Sequence, residues 1–115
     1  MHYLLMLYID ESGWPRMTPT EREQGAAAYS AFTEALKNAG ALVGANRLQF
    51  SSSATTVRLA DGKPQVLDGP FADSKEQLGG YYLIDAPDLD AALAWAARCP
   101  TASHGTVELR PVWEM

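Results

Sequence analysis

Cysteine is almost absent: Cys99 is alone among 115 residues. An internal disulfide is therefore excluded, and a reducing, cytoplasmic setting is the expectation. Histidine is nearly as scarce, with His2 and His104 only. With so few nitrogen and sulfur ligands, and carboxylates at no ligand-like spacing, no metal site is expected. Basic residues are outnumbered, nine Lys and Arg against fourteen Asp and Glu, for a net charge of −5. They are scattered along the chain, so the basic face that neutralises phosphates is missing and direct nucleic-acid binding is not expected. No apolar run approaches the roughly 18 residues of a membrane helix. The apolar opening HYLLMLYI lacks a basic leader and a small-residue cleavage site, so neither a signal peptide nor membrane attachment is expected. Gly79-Gly80 lacks the Gly-x-Gly-x-x-Gly spacing of a dinucleotide loop. Ser51-Ser52-Ser53 has no nucleophile-elbow context. No cofactor is expected.

What is present describes an ordinary folded chain, 47% hydrophobic and 20% charged, and one domain spanning residues 1–115. Residues 2–9 are apolar at both parities, as in a strand buried on both faces. ESGWPRM reads as a loop. Thr18, Pro19 and Glu21 form a capping box with proline at the first helical position. The helix that follows carries Gly25, Ala28, Tyr29, Phe32, Ala35, Leu36 and Ala39 at helical spacing, up to a stop at Gly40. Residues 41–50 read as a strand bent at Gly44. Asp61-Gly62 is a hairpin signal between ATTVRL and PQVLD. GYYLID reads as a strand. A second helix starts at Asp88, with Leu89, Ala92, Leu93 and Ala96 as its apolar stripe, and ends at Pro100. TVELRPVW is the last strand.

The order β-α-β, hairpin, β-α-β points to an α+β, ferredoxin-like fold: an antiparallel sheet with two helices on one face and an inserted β-hairpin. Two helices cannot cover both faces of the sheet, yet the first strand is apolar on both. The expectation is a homodimer packed sheet to sheet.

The stretch DGPFADSKEQLGGYYLID, with the MHYLLMLY start, the TVRLADG hairpin, the AALAWA helix and the ELRPV end, resembles the DGPF group of the YCII-related family. Asp73 stands for the group's common Glu. The resemblance implies the dimeric α/β-barrel type of ferredoxin-like fold. The broader family carries a His on the first helix and an Asp before the proline that ends the second. Matching those positions places Tyr29 and Cys99 there, so the obvious acid/base pair is missing. The group also resembles a domain joined to extracytoplasmic sigma factors, which implies a link to transcription.

The functional expectation is small-molecule binding or an enzyme-like reaction in a pocket near the DGPF loop. The alternative is a non-catalytic regulatory domain associated with a sigma factor. Candidates for catalysis are Asp68, His104 and Tyr29. Candidates for ligand binding are Asp68, Asp73, Lys75, Glu76, Arg58 and Arg110. Each has a plain structural reading beside it. Asp68 would accept backbone N–H groups as a buried carboxylate in the Gly69-Pro70 turn. Asp73 or Ser74 would cap a single helical turn, with Glu76 or Gln77 reaching back. Lys75 would be a solvated surface residue or hold an anion. The two strand arginines would pair with acids across the sheet. His104 would be an exposed loop residue. Phe71 would anchor its loop in the core. Gly79-Gly80 would allow a bulge or a close backbone approach. Trp14 and Trp95 would pack in the core or an interface, or line a pocket.

Overall fold

The computed structural model describes residues 1–114. Strand β1 (His2–Ile9) leads through a 3-10 turn (Glu11–Arg16) into helix α1 (Pro19–Asn38) and strand β2 (Leu42–Arg47). Strands β3 (Thr55–Ala60) and β4 (Lys63–Asp68) form the hairpin. Strand β5 (Gln77–Asp85), helix α2 (Leu89–Arg98), a 3-10 turn (Pro100–Ser103) and strand β6 (Thr106–Pro111) complete the chain.

The main sheet has the order β2-β5-β1-β6, and all its pairs are antiparallel. β5 therefore separates β1 from β2, and β1 separates β5 from β6. These are two interleaved split β-α-β units, the ferredoxin-like arrangement.

Local chemistry sets the helix starts. Thr18 Oγ1 accepts from the Glu21 N–H at 3.1 Å, and Glu21 Oε1 accepts from the Thr18 N–H at 2.9 Å. Asp88 Oδ1 accepts from the Ala91 N–H at 2.8 Å. α1 ends before Gly40, whose φ of +68° is one that L side chains rarely adopt.

Alternation along the strands then divides the sheet into two faces. Tyr3, Leu5 and Leu7 of β1, with Tyr82 and Ile84 of β5, point at Phe32 and Leu36 of α1 and at Ala92 and Ala96 of α2. Phe32 meets the Tyr82 ring edge-on, with centroids 5.1 Å apart, and the Trp95 ring at 6.2 Å. Both helices thus cover one face. On the second helix the inward stripe differs from the expected one. Trp95 packs against the core, whereas Leu89 and Leu93 are each 49% exposed.

The glycine pair does what its position suggested. The β1–β5 register slips between Leu7 and Tyr8, which leaves Gly79 as the bulged residue. A Cβ on Gly80 would come within 2.9 Å of the Asn46 carbonyl oxygen, so β2 and β5 approach closely there only because Gly80 has no side chain. The bend at Gly44 is a second register slip, between Leu42 and Gly44.

The hairpin stands apart. Asp61 (φ 51°) and Gly62 (φ 76°) make a turn with two positive φ angles, the type that matches the twist of a tight hairpin. Neither β3 nor β4 pairs with the main sheet. The radius of gyration is 16.1 Å, against about 13 Å for a compact chain of this length.

Candidate functional site

Between the 3-10 turn Glu11–Arg16, α1 and the open edge of the sheet lies a cavity of about 870 Å³. Its floor is Leu7, Ile9, Gly79, Gly80 and Tyr82, and its walls include Trp14, Phe50, Tyr29, Arg22, Arg47 and His104.

The wall carrying Trp14 is built by short-range hydrogen bonds. Asp10 Oδ1 accepts from both the backbone N–H and the hydroxyl of Ser12, at 3.0 and 2.6 Å, and so caps the turn. Those bonds, the hydroxyl's first, hold the Asp10 carboxyl below its ordinary range, with smaller help from the charges of Lys75 and Arg16. Glu11 accepts from the Ser51 N–H at 2.8 Å and from its hydroxyl at 2.7 Å, tying the turn to the segment after β2. The Glu11 N–H in turn donates to Gln77 Oε1 at 3.1 Å. Trp14 projects from this frame and meets the Phe50 ring edge-on at 6.0 Å.

Two tyrosines bring hydroxyls into the interior. The Tyr29 hydroxyl lies 2.6 Å from Thr101 Oγ1. The Thr33 hydroxyl donates to the Tyr29 carbonyl, so the Tyr82 hydroxyl, 2.8 Å away, donates to Thr33. Burial pushes both phenols up, which keeps them protonated at neutral pH. They act as neutral hydrogen-bonding groups, not as phenolate bases.

Of the residues singled out from the sequence, Tyr29 and His104 share this cavity. Asp68, Asp73, Lys75, Glu76, Arg58 and Arg110 do not line it. Asp68 is not the buried acceptor expected. It ends β4 opposite Thr55, is exposed, and its carboxylate accepts no hydrogen bond among the described residues. The turn there is closed by the backbone instead: the Gly69 N–H donates to the Ala54 carbonyl at 2.7 Å, and the Thr56 hydroxyl donates to the Gly69 carbonyl. Asp73 is exposed, and no helical turn forms after it. The Ser74 hydroxyl donates to the Glu76 carbonyl, and Gln77 Nε2 donates to the Ser74 carbonyl at 2.6 Å. Lys75 is exposed. Glu76 Oε1 accepts from the Thr106 hydroxyl at 2.7 Å. Arg110 pairs with Glu108 on its own strand at 2.8 Å. Arg58 lies 5.4 Å from the centre of the Phe71 ring, and Phe71 is 77% exposed rather than buried in the core. Cys99 is buried, and burial pushes its thiol up.

Residues 68–76 of the DGPF stretch therefore do not line the cavity, whereas Gly79, Gly80, Tyr81 and Tyr82 farther along it do, and Gln77 between them ties to the Glu11–Arg16 turn. The residues that reasoning along the chain missed are Glu11, Gln77, Arg22 and Arg47. Arg22 did leave a local signal. It is a cation in the first turns of α1, where the helix dipole favours the opposite charge.

Two interleaved split β-α-β units with helices on one face define a ferredoxin-like α+β domain. The chain belongs to the YCII-related domain family, whose model matches residues 1–115. It is 40% identical over 114 residues to uncharacterized protein R00369 of Rhizobium meliloti (strain 1021), covering 97% of this chain and 92% of that one. Among solved structures it resembles 5-chloro-2-hydroxyhydroquinone dehydrochlorinase (TftG) from Burkholderia phenoliruptrix AC1100, in complex with 2,5-dihydroxybenzoquinone. The TM-score is 0.57 at 15% identity, over 99% of this chain and 94% of that one. At that identity the likeness is one of fold.

Proposed function

We propose that this domain binds a small molecule in the cavity between the Glu11–Arg16 turn, α1 and the sheet. The observation that carries the reading is the cavity itself. Its volume, about 870 Å³, lies in the range of small-ligand sites, as does its make-up of aromatic walls with a few polar groups. Tyr29 and His104 supply hydrogen-bonding groups, while Trp14 and Phe50 supply flat apolar surface. The TftG structure, with a quinone bound in the same fold, supports the reading by analogy of fold.

The test is to fill the site. A Cβ on Gly25, in the α1 wall, meets no atom within 4 Å. Gly25→Leu is expected to leave stability equal or higher, because leucine favours helix over glycine. It should also abolish the thermal shifts that small-molecule library members give with the parent. Shifts that persist in Gly25→Leu would locate binding elsewhere and overturn the reading.

The same domain is proposed to work as a homodimer, on a separate observation. Residues opposite each other in the hairpin share a face. Val57 faces Val66 and Leu59 faces Pro64, so one face of the arm is apolar toward the turn and polar only at its base, where Thr55 faces Asp68. Val57, Val66 and Leu59 are 60%, 60% and 73% exposed. The outer face of the main sheet presents Leu4, Met6 and Leu83, each only half-buried. A two-stranded hairpin is marginal by itself, and a second copy related by a two-fold axis offers an apolar sheet face to each arm. Light scattering is expected to give the mass of two 12.5 kDa chains. A monomer at micromolar concentration would remove the dimer and leave the arm free for a different partner.

A further inference from the structure

Three arginines line the cavity. Arg16 donates to Ser12 beside Asp10, whereas Arg22 and Arg47 have no acidic partner among the described residues. Arg22 and Arg47 come from different elements, the first turns of α1 and the end of β2. Both guanidinium groups lie over the one Trp14 ring, at 4.2 and 5.2 Å from its centre. Arg22 Nη2 donates to the Trp14 carbonyl at 2.7 Å, while its Nε is buried with no acceptor. Among the described residues the Arg47 side chain donates no hydrogen bond, and no carboxylate lies within ion-pair distance of either arginine.

This is unusual in a chain of net charge −5. Two like charges converging on one ring repel each other. Water screens the exposed Arg47, but Arg22 is partly buried, and the positive end of the α1 dipole adds to the repulsion around it. The nearby acids direct their hydrogen bonds elsewhere, Asp10 to Ser12, Glu11 to Ser51 and Glu21 to Thr18. Asp10 and Glu11 keep their charge beside the cavity, but three arginines, Arg16, Arg22 and Arg47, line it against these two carboxylates. The ring face offsets only part of the cost of gathering these cations. An anion between the two guanidinium groups would complete the balance, and arginine's planar fork suits a carboxylate.

We propose that the ligand of this cavity is a small organic anion, an aromatic carboxylate, whose charged group is held by Arg22 and Arg47 and whose ring lies against Trp14 and Phe50. This rests on the reading of the cavity as a ligand site and adds the charge and shape of what enters it.

The probes are 2-naphthoate and its neutral isostere 2-naphthamide, titrated calorimetrically into the parent protein, Arg22→Gln, Arg47→Gln and the double variant. The parent is expected to bind the carboxylate at least about tenfold more tightly than the amide, consistent with a charge-assisted bidentate contact. Each single variant should lose about tenfold toward the carboxylate, and the double variant should bind the two probes alike. Added salt should weaken the carboxylate only. Melting temperatures separate this from a structural role: Arg47→Gln should melt at or above the parent temperature, since it relieves repulsion. Equal binding of the two probes by the parent would overturn the anion assignment and leave the cavity reading standing. Carboxylate preference retained in the double variant would overturn the assignment to these arginines. Binding of neither probe at millimolar concentration, with no library shift lost in Gly25→Leu, would overturn both. A Tm loss in Arg47→Gln that no probe restores would make Arg47 a structural residue.

Discussion

The main sheet and the β3–β4 arm are both antiparallel, both alternate, and both were visible in the sequence, yet they stand in opposite relations to solvent. In the sheet, the alternating residues Tyr3, Leu5 and Leu7 meet α1 and α2 and are 2%, 0% and 7% exposed. In the arm, Val57, Leu59 and Val66 alternate just as regularly, yet they face only their hairpin partners and stay 60%, 73% and 60% exposed. Alternation reports that a face needs covering. It does not report which chain covers it. The candidate site lies at the end of the well-covered region, where the C-terminal ends of β1 and β2 and the start of β5 meet the first half of α1 and the Glu11–Arg16 turn closes the gap. The cavity is therefore held by strands on the floor and by a hydrogen-bonded turn on one wall, which Gln77 at the start of β5 braces.

The sharpest break of this comparison is at Leu5. Its side chain is fully buried, and Leu5→Ala should cost about 2–5 kcal/mol of stability, measured by urea denaturation. A cost below about 1 kcal/mol would mean that the sheet face is not the packed core described. The paired change Val57→Asp with Val66→Asp places charge on the arm's apolar face. It should leave the unfolding of the body within about 0.5 kcal/mol of the parent at dilute concentration, while light scattering shows the mass falling to one chain. If instead the body unfolds with the arm, the two regions are one cooperative unit. Asp68→Asn is expected to change stability by no more than about 0.5 kcal/mol, because the carboxylate is exposed and accepts no bond. A larger loss in the denaturant midpoint would restore a structural role to the Asp68 side chain. The smallest effect concerns Asp10. Its carboxyl is held low by the Ser12 hydroxyl and N–H, so the contribution of this cap is present at neutral pH and fades as pH falls through the lowered carboxyl pKa. The parent should be slightly more stable than Asp10→Asn near neutrality, and the two acid-unfolding curves should converge below about pH 4. A gap that stays constant down to low pH would show that the cap does not depend on the ionised carboxylate.

Local signals carried much of the fold. The Thr18–Glu21 capping box, the Asp88 cap, the Asp61-Gly62 turn and the Gly79-Gly80 irregularity each depend on residues within a few positions of one another or on a backbone need that glycine alone meets. They lie where the chain order placed them. The inward face of α2 was less legible. Leu89 and Leu93 are more apolar than Trp95 by ordinary ranking, but the helix rotates so that Trp95 reaches Phe32, a contact between residues 63 positions apart in sequence.

The site was legible only in pieces. By itself the sequence determined the two interleaved β-α-β units, the hairpin, the helix starts and the YCII-related signature, because each follows from short-range hydrogen bonding, turn chemistry and the period of apolar residues. Only the tertiary structure decided that Trp14 meets Arg22 and Arg47, that Tyr29 and His104 share a cavity, and that Asp68 does not enter it. Those relations join four separate segments, from the Glu11–Arg16 turn, α1, the end of β2 and the loop before β6. The physical reason is that a cavity is the space left between packed elements. Its lining depends on the angle at which a helix crosses a sheet and on the one-residue slips in register that turn a side chain toward or away from it.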